Sequence, residues 1–531
     1  MHWLLIKLIP VRWGIALILP LALVALLVLA GCAPAGSPTG APAPEVSAPA
    51  ADAPAGQPQG VMRLGVQPIV QTDPALISSD SEVLVANLAY DYLVDIDGEN
   101  NIVPRLATEW EISEDGLTWT FQLAEGVTFH DGSPLTAADV VWTFDRLRDP
   151  DSGFPTSTLY QNISSIEATG DLEVTFTLAQ TNPFFLYDLS DNHALVMKAE
   201  TEDPTNFNGT GAFRVVEFSP EDRLILEANP GYFIEAQPRL AGIEIIFFND
   251  QTASFDALRG GQVDLAWSMP TALFVTLEDE PGLVALQVPT NGFDVIRFRS
   301  DRPPGNDPRV VQALKLATDR EALFQLVAQG YGAVGRDSPI GPLYTQYYTE
   351  ETPIPPRDPE AARALLAEAG YPDGLDLVLH VPDTGNRPAL AAAVQNQWAE
   401  AGFNVELSVE PQSIYYGEDG WLEVDFGITG WGSRPYPQFY LDVMLVTGAQ
   451  WNESRYSNPE FDRLVEIAGT TLDEEERIAA YHEIQRILIE EGPIIIPYFG
   501  PQLAAISDRV QGFELRPFAG RSEFRNVTLT R

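Results

Sequence analysis

What the chain lacks narrows its chemistry. Among 531 residues there is one cysteine, Cys32, so no disulfide within the chain, no cysteine-based metal cluster and no two-thiol redox pair can form. The five histidines (His2, His130, His193, His380 and His482) include no two at helical or hairpin ligand spacing, which leaves no local pattern for a zinc or haem site. Basic residues are scarce: 31 Lys and Arg stand against 75 Asp and Glu, a formal charge of −44. Such a field repels phosphates and excludes nucleic acid and anionic lipid headgroups as partners, and the acidic residues have no calcium-loop spacing. There is no Gly-x-Ser-x-Gly elbow, no His-Glu-x-x-His and no phosphate-binding Gly-Lys-Ser loop, so neither a hydrolase nor an ATPase is indicated, and no cofactor is expected.

The one long apolar run lies at the start. Lys7 and Arg12 precede a stretch from Gly14 to Ala30 without an acidic residue, the layout of a secretory leader. It is also about long enough to span a membrane, and Leu29-Ala30-Gly31-Cys32 decides between the two readings, because that string resembles the bacterial lipobox. The resemblance implies cleavage after residue 31 and acylation of Cys32, which would anchor the protein through lipid alone. Residues 33–60 are almost wholly Ala, Pro, Gly, Ser, Thr and Gln, with nothing to pack, and read as an unfolded tether. Extended at about 3.1 Å per residue, it would reach roughly 90 Å.

Over the whole chain, 45% hydrophobic residues, 41 glycines and 43 prolines describe a globular protein with many turns, and the part from Val61 onward is too long for a single core. Val61 to Val66 reads as a strand, and Ser81 to Tyr92 places apolar residues at helical spacing. Leu117 to Leu123 and Glu173 to Leu178 alternate and can pair in one sheet, with a helix capped by Thr136 between them. Strands follow around 213–216, 224–226 and 243–246, then a helix from Thr252 to Arg259 ending at Gly260-Gly261. Asp307-Pro308 opens one helix running past Leu323, Asp358-Pro359 opens another, and a last helix covers Glu474 to Glu490.

Pro104 through Val141 reads Pro-Arg-Leu-Ala-Thr-Glu-Trp-Glu-Ile-Ser-Glu-Asp-Gly-Leu-Thr-Trp-Thr-Phe-Gln-Leu-Ala-Glu-Gly-Val-Thr-Phe-His-Asp-Gly-Ser-Pro-Leu-Thr-Ala-Ala-Asp-Val-Val. This stretch closely resembles the signature of the extracellular solute-binding proteins of family 5, the peptide, dipeptide and nickel binders. Further agreement runs through Gly209 to Phe213, Asn229 to Tyr232, Asn306 to Val310, Ala317 to Arg320, Ala361 to Gly374, Gly430-Trp431 and Tyr456 to Asp462. The resemblance implies an α/β, three-lobed binding protein of periplasmic type II with a hinged cleft and an α+β insert lobe. Lobe I would comprise 61–100, 208–288 and 496–531, lobe II 101–207, and lobe III 289–495. It further implies a monomer that hands a small peptide or peptide-like solute to an ABC permease and its ATPase, with a metal-chelate or other non-peptide solute as the alternative within the family. His130-Asp131-Gly132 reads as a turn with a satisfied histidine.

Family members that bind free peptides carry an aspartate after the Gly-Trp pair and two intervening residues, where it meets the peptide ammonium. Here the run is Gly430-Trp431-Gly432-Ser433-Arg434-Pro435-Tyr436, and Arg434 reverses the sign. A guanidinium cannot neutralise an ammonium in a dry site, but it can clamp a carboxylate with two parallel hydrogen bonds, as the glutathione-like branch of the family implies. The ligand-binding candidates are Arg434, with Trp431, Tyr436 and Trp267 as aromatic walls and Asn291 at the entrance to lobe III.

Overall fold

The computed structural model describes residues 57–530, apart from residues 268, 278, 279, 418, 419 and 519. The leader, Cys32 and most of the tether therefore lie outside the described residues. The tether ends earlier than its composition suggests: the Gln59 N–H donates to Arg239 O (2.8 Å) and Gly60 O accepts from the Ala241 N–H (2.9 Å), because both flank the first strand and extend its edge. Among the described residues no helix is long and apolar enough to cross a membrane.

A mixed sheet of twelve strands runs through the molecule. On one side Val61–Val66 lies parallel to Gly242–Phe247 and to Leu265–Trp267, and Arg223–Ala228 and Phe213–Ser219 continue outward antiparallel. On the other side Leu375–Pro382 lies parallel to Phe403–Glu410, and Phe426–Trp431 joins them to the centre. Two long strands, Leu283–Phe298 and Tyr498–Ser507, connect the halves. Their pairing runs in register from Leu283 opposite Ser507 to Pro289 opposite Pro501, breaks, and resumes at Phe293 opposite Phe499. Pro289 has no N–H to give the ladder, and the Thr290 hydroxyl turns inward to Gly500 O (2.7 Å), which accounts for a bulge at that point.

A separate antiparallel sheet, in the order Ala107–Ile112, Thr118–Leu123, Glu173–Leu178, Ile163–Gly170, carries the helix Ala137–Arg148 on one face. The alternation read in the sequence sets that face: Trp119, Phe121, Leu123, Val174, Phe176 and Leu178 point inward. Thr136 caps the helix, its backbone N–H bonded to Asp139 Oδ2 (2.8 Å). This sheet shares one continuous apolar core with the first half of the large sheet. Two further cores fill the other half, one around Leu379, Trp398 and Ile428, the other around Phe293, Tyr440 and Tyr481.

The helix expected to run from Asp307 past Leu323 is two helices, Pro308–Ala317 and Arg320–Val327. Thr318 leaves the helical conformation, its side chain bonding back to Leu314 O (2.8 Å), and Asp319 caps the second helix through the Ala322 N–H. His130 is satisfied as expected, with Nδ1 3.2 Å from Phe207 O and Nε2 3.0 Å from Gly211 O.

Candidate functional site

The strand Phe426–Trp431 ends where the central bulge begins, so its last residues and those that follow lie against residues 290–293. Trp431 pairs with Phe293 across the sheet. Its indole N–H donates to Glu453 Oε1 (3.2 Å), and Glu453 Oε2 accepts from Arg297 Nε (2.9 Å) and the Thr429 hydroxyl (2.6 Å). Glu453 and Arg297 are fully buried, and the pair fixes the direction of the indole.

Beyond Trp431 the chain is tied down by one hydroxyl. Tyr440 Oη accepts from the Arg434 backbone N–H (2.9 Å) and lies 2.7 Å from Gly432 O and 3.3 Å from Asn291 O. The Asn291 N–H donates to Ser433 Oγ (3.1 Å), and the Tyr344 hydroxyl donates to Arg434 O (2.7 Å). Both backbone groups of Arg434 are thereby held, while its side chain has little to hold it. The guanidinium carbon lies 4.5 Å from the centre of the Phe439 ring, and Nε is buried without a hydrogen-bond partner. The nearest carboxylate, Asp191, approaches Nε only to 3.9 Å, beyond hydrogen-bond reach.

Asp191 belongs to the segment that follows the smaller sheet. Its Oδ1 lies 2.6 Å from His193 Nδ1 and accepts the His193 backbone N–H (3.1 Å), while His193 Nε2 meets Ile77 O (2.9 Å). Burial by itself would raise the Asp191 carboxyl, but the histidine, its two hydrogen bonds and Arg434 outweigh that and hold it below the usual carboxylate range. Three residues earlier, Asp188 has only neutral partners, Tyr436 Oη and Asn182 Nδ2, and burial pushes it up to about 8. Tyr436 packs against Phe184 (5.0 Å between ring centres) and Tyr187 (5.5 Å), and Asn100 Nδ2 donates to Pro435 O (2.6 Å). The seam between residues 182–191 and 433–440 is thus buried, polar and incompletely bonded.

The structure brings together four of the five sequence-chosen residues: Arg434, Trp431, Tyr436 and Asn291. Asn291 is buried, with its side-chain oxygen unpartnered. Trp267 stands elsewhere, at the end of Leu265–Trp267 opposite Ala504, in the core shared with the smaller sheet; its indole N–H also lacks a partner. Sequence reasoning passed over Asp188, Asp191 and Tyr440. Asp191-Asn192-His193 carries an acid and a base two residues apart, a local cue, but no spacing links that segment to residue 434.

The family described as bacterial extracellular solute-binding proteins, family 5 Middle, matches residues 101–452. The chain belongs to this family. It is 28% identical to "Heme-binding protein A" of Haemophilus influenzae over 86% of this chain and 90% of that protein. It is 30% identical to "Probable di/tripeptide-binding protein 5" of Pseudomonas aeruginosa over 84% and 91%. A solved dipeptide-binding protein from Pseudoalteromonas sp. SM9913, in complex with Met-Leu, superimposes with a TM-score of 0.80 at 26% identity, covering 89% of this chain and all of that one. The fold is therefore that of these binding proteins, as the signature from Pro104 to Val141 implied.

Proposed function

We propose that this family member is the substrate-binding component of an ABC importer, capturing a peptide or peptide-like solute outside the cytoplasmic membrane and delivering it to the permease. It is a binding protein and not an enzyme. Its leader is removed at Cys32, whose acyl chains tether it to the membrane, and it works as a monomer. Lobe II (101–207) is the insert, and lobes I (61–100, 208–288, 496–531) and III (289–495) move about the two long strands that pass between them. A long strand interrupted at a bulge suits that motion, because the missing ladder bonds lower the cost of bending there.

The observation that carries the peptide-like reading is Arg434. Its guanidinium is largely buried, its Nε is unpartnered, and among the described residues the carboxylate nearest to it is already engaged by His193. A buried cation left in that state is costly, and a ligand carboxylate would supply the missing hydrogen bonds. Trp431, held by Glu453, and Asn291, with its free side-chain oxygen, complete the reading as one wall and one polar contact. Tyr436 contributes by fixing the segment, and Trp267 is the weakest member of the set. The test is thermal unfolding of the ligand-stripped protein with di- and tripeptides and with glutathione. A ligand at a hundred times its Kd stabilises by about 2.7 kcal/mol. No shift with any of them, and a shift with haem or another metal chelate, would favour the second reading that the Haemophilus relative supports.

A further inference from the structure

Arg434 does not face solvent or carbon alone; it faces an anion that it does not bond. The Asp191 carboxylate spends Oδ1 on His193 and turns Oδ2 towards Arg434 Nε, 3.9 Å away. Two opposite charges are held side by side, one on each segment of a buried seam, without the hydrogen bonds that make a buried pair favourable. Neither is free to move together with the other. Tyr344 and Tyr440 fix the backbone of Arg434, and His193 fixes Asp191 from the backbone and the ring. Asp188, the other acid of this segment, is bonded through both oxygens to Tyr436 and Asn182. Asp191 is therefore the anion this seam offers to a ligand.

Adjacent receptor charges of opposite sign suit a ligand whose own opposite charges share one carbon. Resting on the reading of Arg434 given above, we propose that Asp191 is a second specificity-determining residue. Arg434 and Asp191 together receive the zwitterionic head of an α-amino acid, its carboxylate on the guanidinium and its ammonium on Asp191 Oδ2. An ordinary α-linked peptide presents an ammonium beside an amide, with its free main-chain carboxylate at the far end. A peptide joined through a side-chain carboxyl keeps the whole head intact. The ligand class is then amino acids and peptides linked through the side chain, of which γ-glutamyl peptides are the simplest.

The experiment is calorimetric titration of the ligand-stripped wild-type protein with γ-glutamylalanine and its isomer α-glutamylalanine, which have the same composition and net charge. A third probe, glutarylalanine, is the γ-linked compound without the ammonium. The γ isomer is expected to bind at least tenfold tighter than the α isomer, and loss of the ammonium to remove that advantage. In Asp191→Asn, which keeps the shape of the side chain, the ratio between the isomers should fall towards one. Equal binding of both isomers to the wild type overturns the role of Asp191 and leaves the peptide-like reading standing. Binding of neither overturns both. The wild-type comparison needs no variant to fold and tests the ligand class by itself, while an unchanged isomer ratio in folded Asp191→Asn overturns the assignment of the ammonium to Asp191.

Discussion

Two buried regions rich in aromatic side chains are built on opposite rules. Beneath the smaller sheet Phe121, Phe144 and Phe176 are completely buried and meet edge to face, at 5.6 Å and 5.3 Å from the Phe176 ring. These three rings meet through carbon atoms alone, and no charged side chain stands among them. At the seam between residues 182–191 and 433–440, Phe184, Tyr187, Tyr436 and Phe439 bury comparable rings around Asp188, Asp191 and Arg434, and the polar atoms are incompletely bonded. The first region gains stability from each contact it makes. The second gives up stability to hold charges out of water, which is the arrangement that the proposed role in receiving a charged ligand requires.

The comparison can be broken at either end. The largest effect belongs to the apolar region: Phe176→Ala should lower the unfolding free energy by about 3–5 kcal/mol, measured by chemical denaturation, while the folded fraction keeps the wild-type affinity for its peptide. A loss of affinity with unchanged stability would mean that the two regions are not separate. A smaller effect sharpens the seam. Burial raises Asp188 to about 8, against about 3.9 in an unfolded chain, so between these values the folded protein holds a proton that the unfolded chain has released. The contribution is complete below the lower value and is lost as pH rises through the upper one, so stability should fall between about pH 4 and pH 8. The slope from this group is at most ~1.4 kcal/mol per pH unit. Asp442, raised by burial to about 7, acts in the same direction, so the quantity to measure is the difference between wild type and Asp188→Asn. Parallel pH profiles would mean that Asp188 is ionised in the folded protein.

Local chemistry made much of the fold legible. Thr136 with Asp139, Asp358 before Pro359 and the alternation from Leu117 to Leu123 each set an element where the sequence placed it. The break after Ala317 was missed because Thr318 and Asp319 lie within a continuous apolar periodicity, and only their side-chain bonds end one helix and start the next. The continuity of Leu283–Phe298 was hidden for the opposite reason: Pro289-Thr290-Asn291-Gly292 has the composition of a turn, yet pairing on both sides keeps it inside one strand. Half of the candidate site could be read from the change of sign at Arg434. The other half could not, because Tyr436 and Asp188 are 248 positions apart in the chain and the seam exists only once the chain is folded.

The central claim is that Arg434 waits for a carboxylate of the ligand. Its most direct test is a double cycle by titration calorimetry: wild type and Arg434→Ala, each with a peptide ligand and with the same peptide amidated at both carboxylates. The account predicts that amidation and Arg434→Ala each cost about 2–5 kcal/mol of affinity when introduced alone, and that amidation costs the variant almost nothing more. Equal losses on amidation in wild type and variant would show that the carboxylate is held elsewhere, and would contradict it.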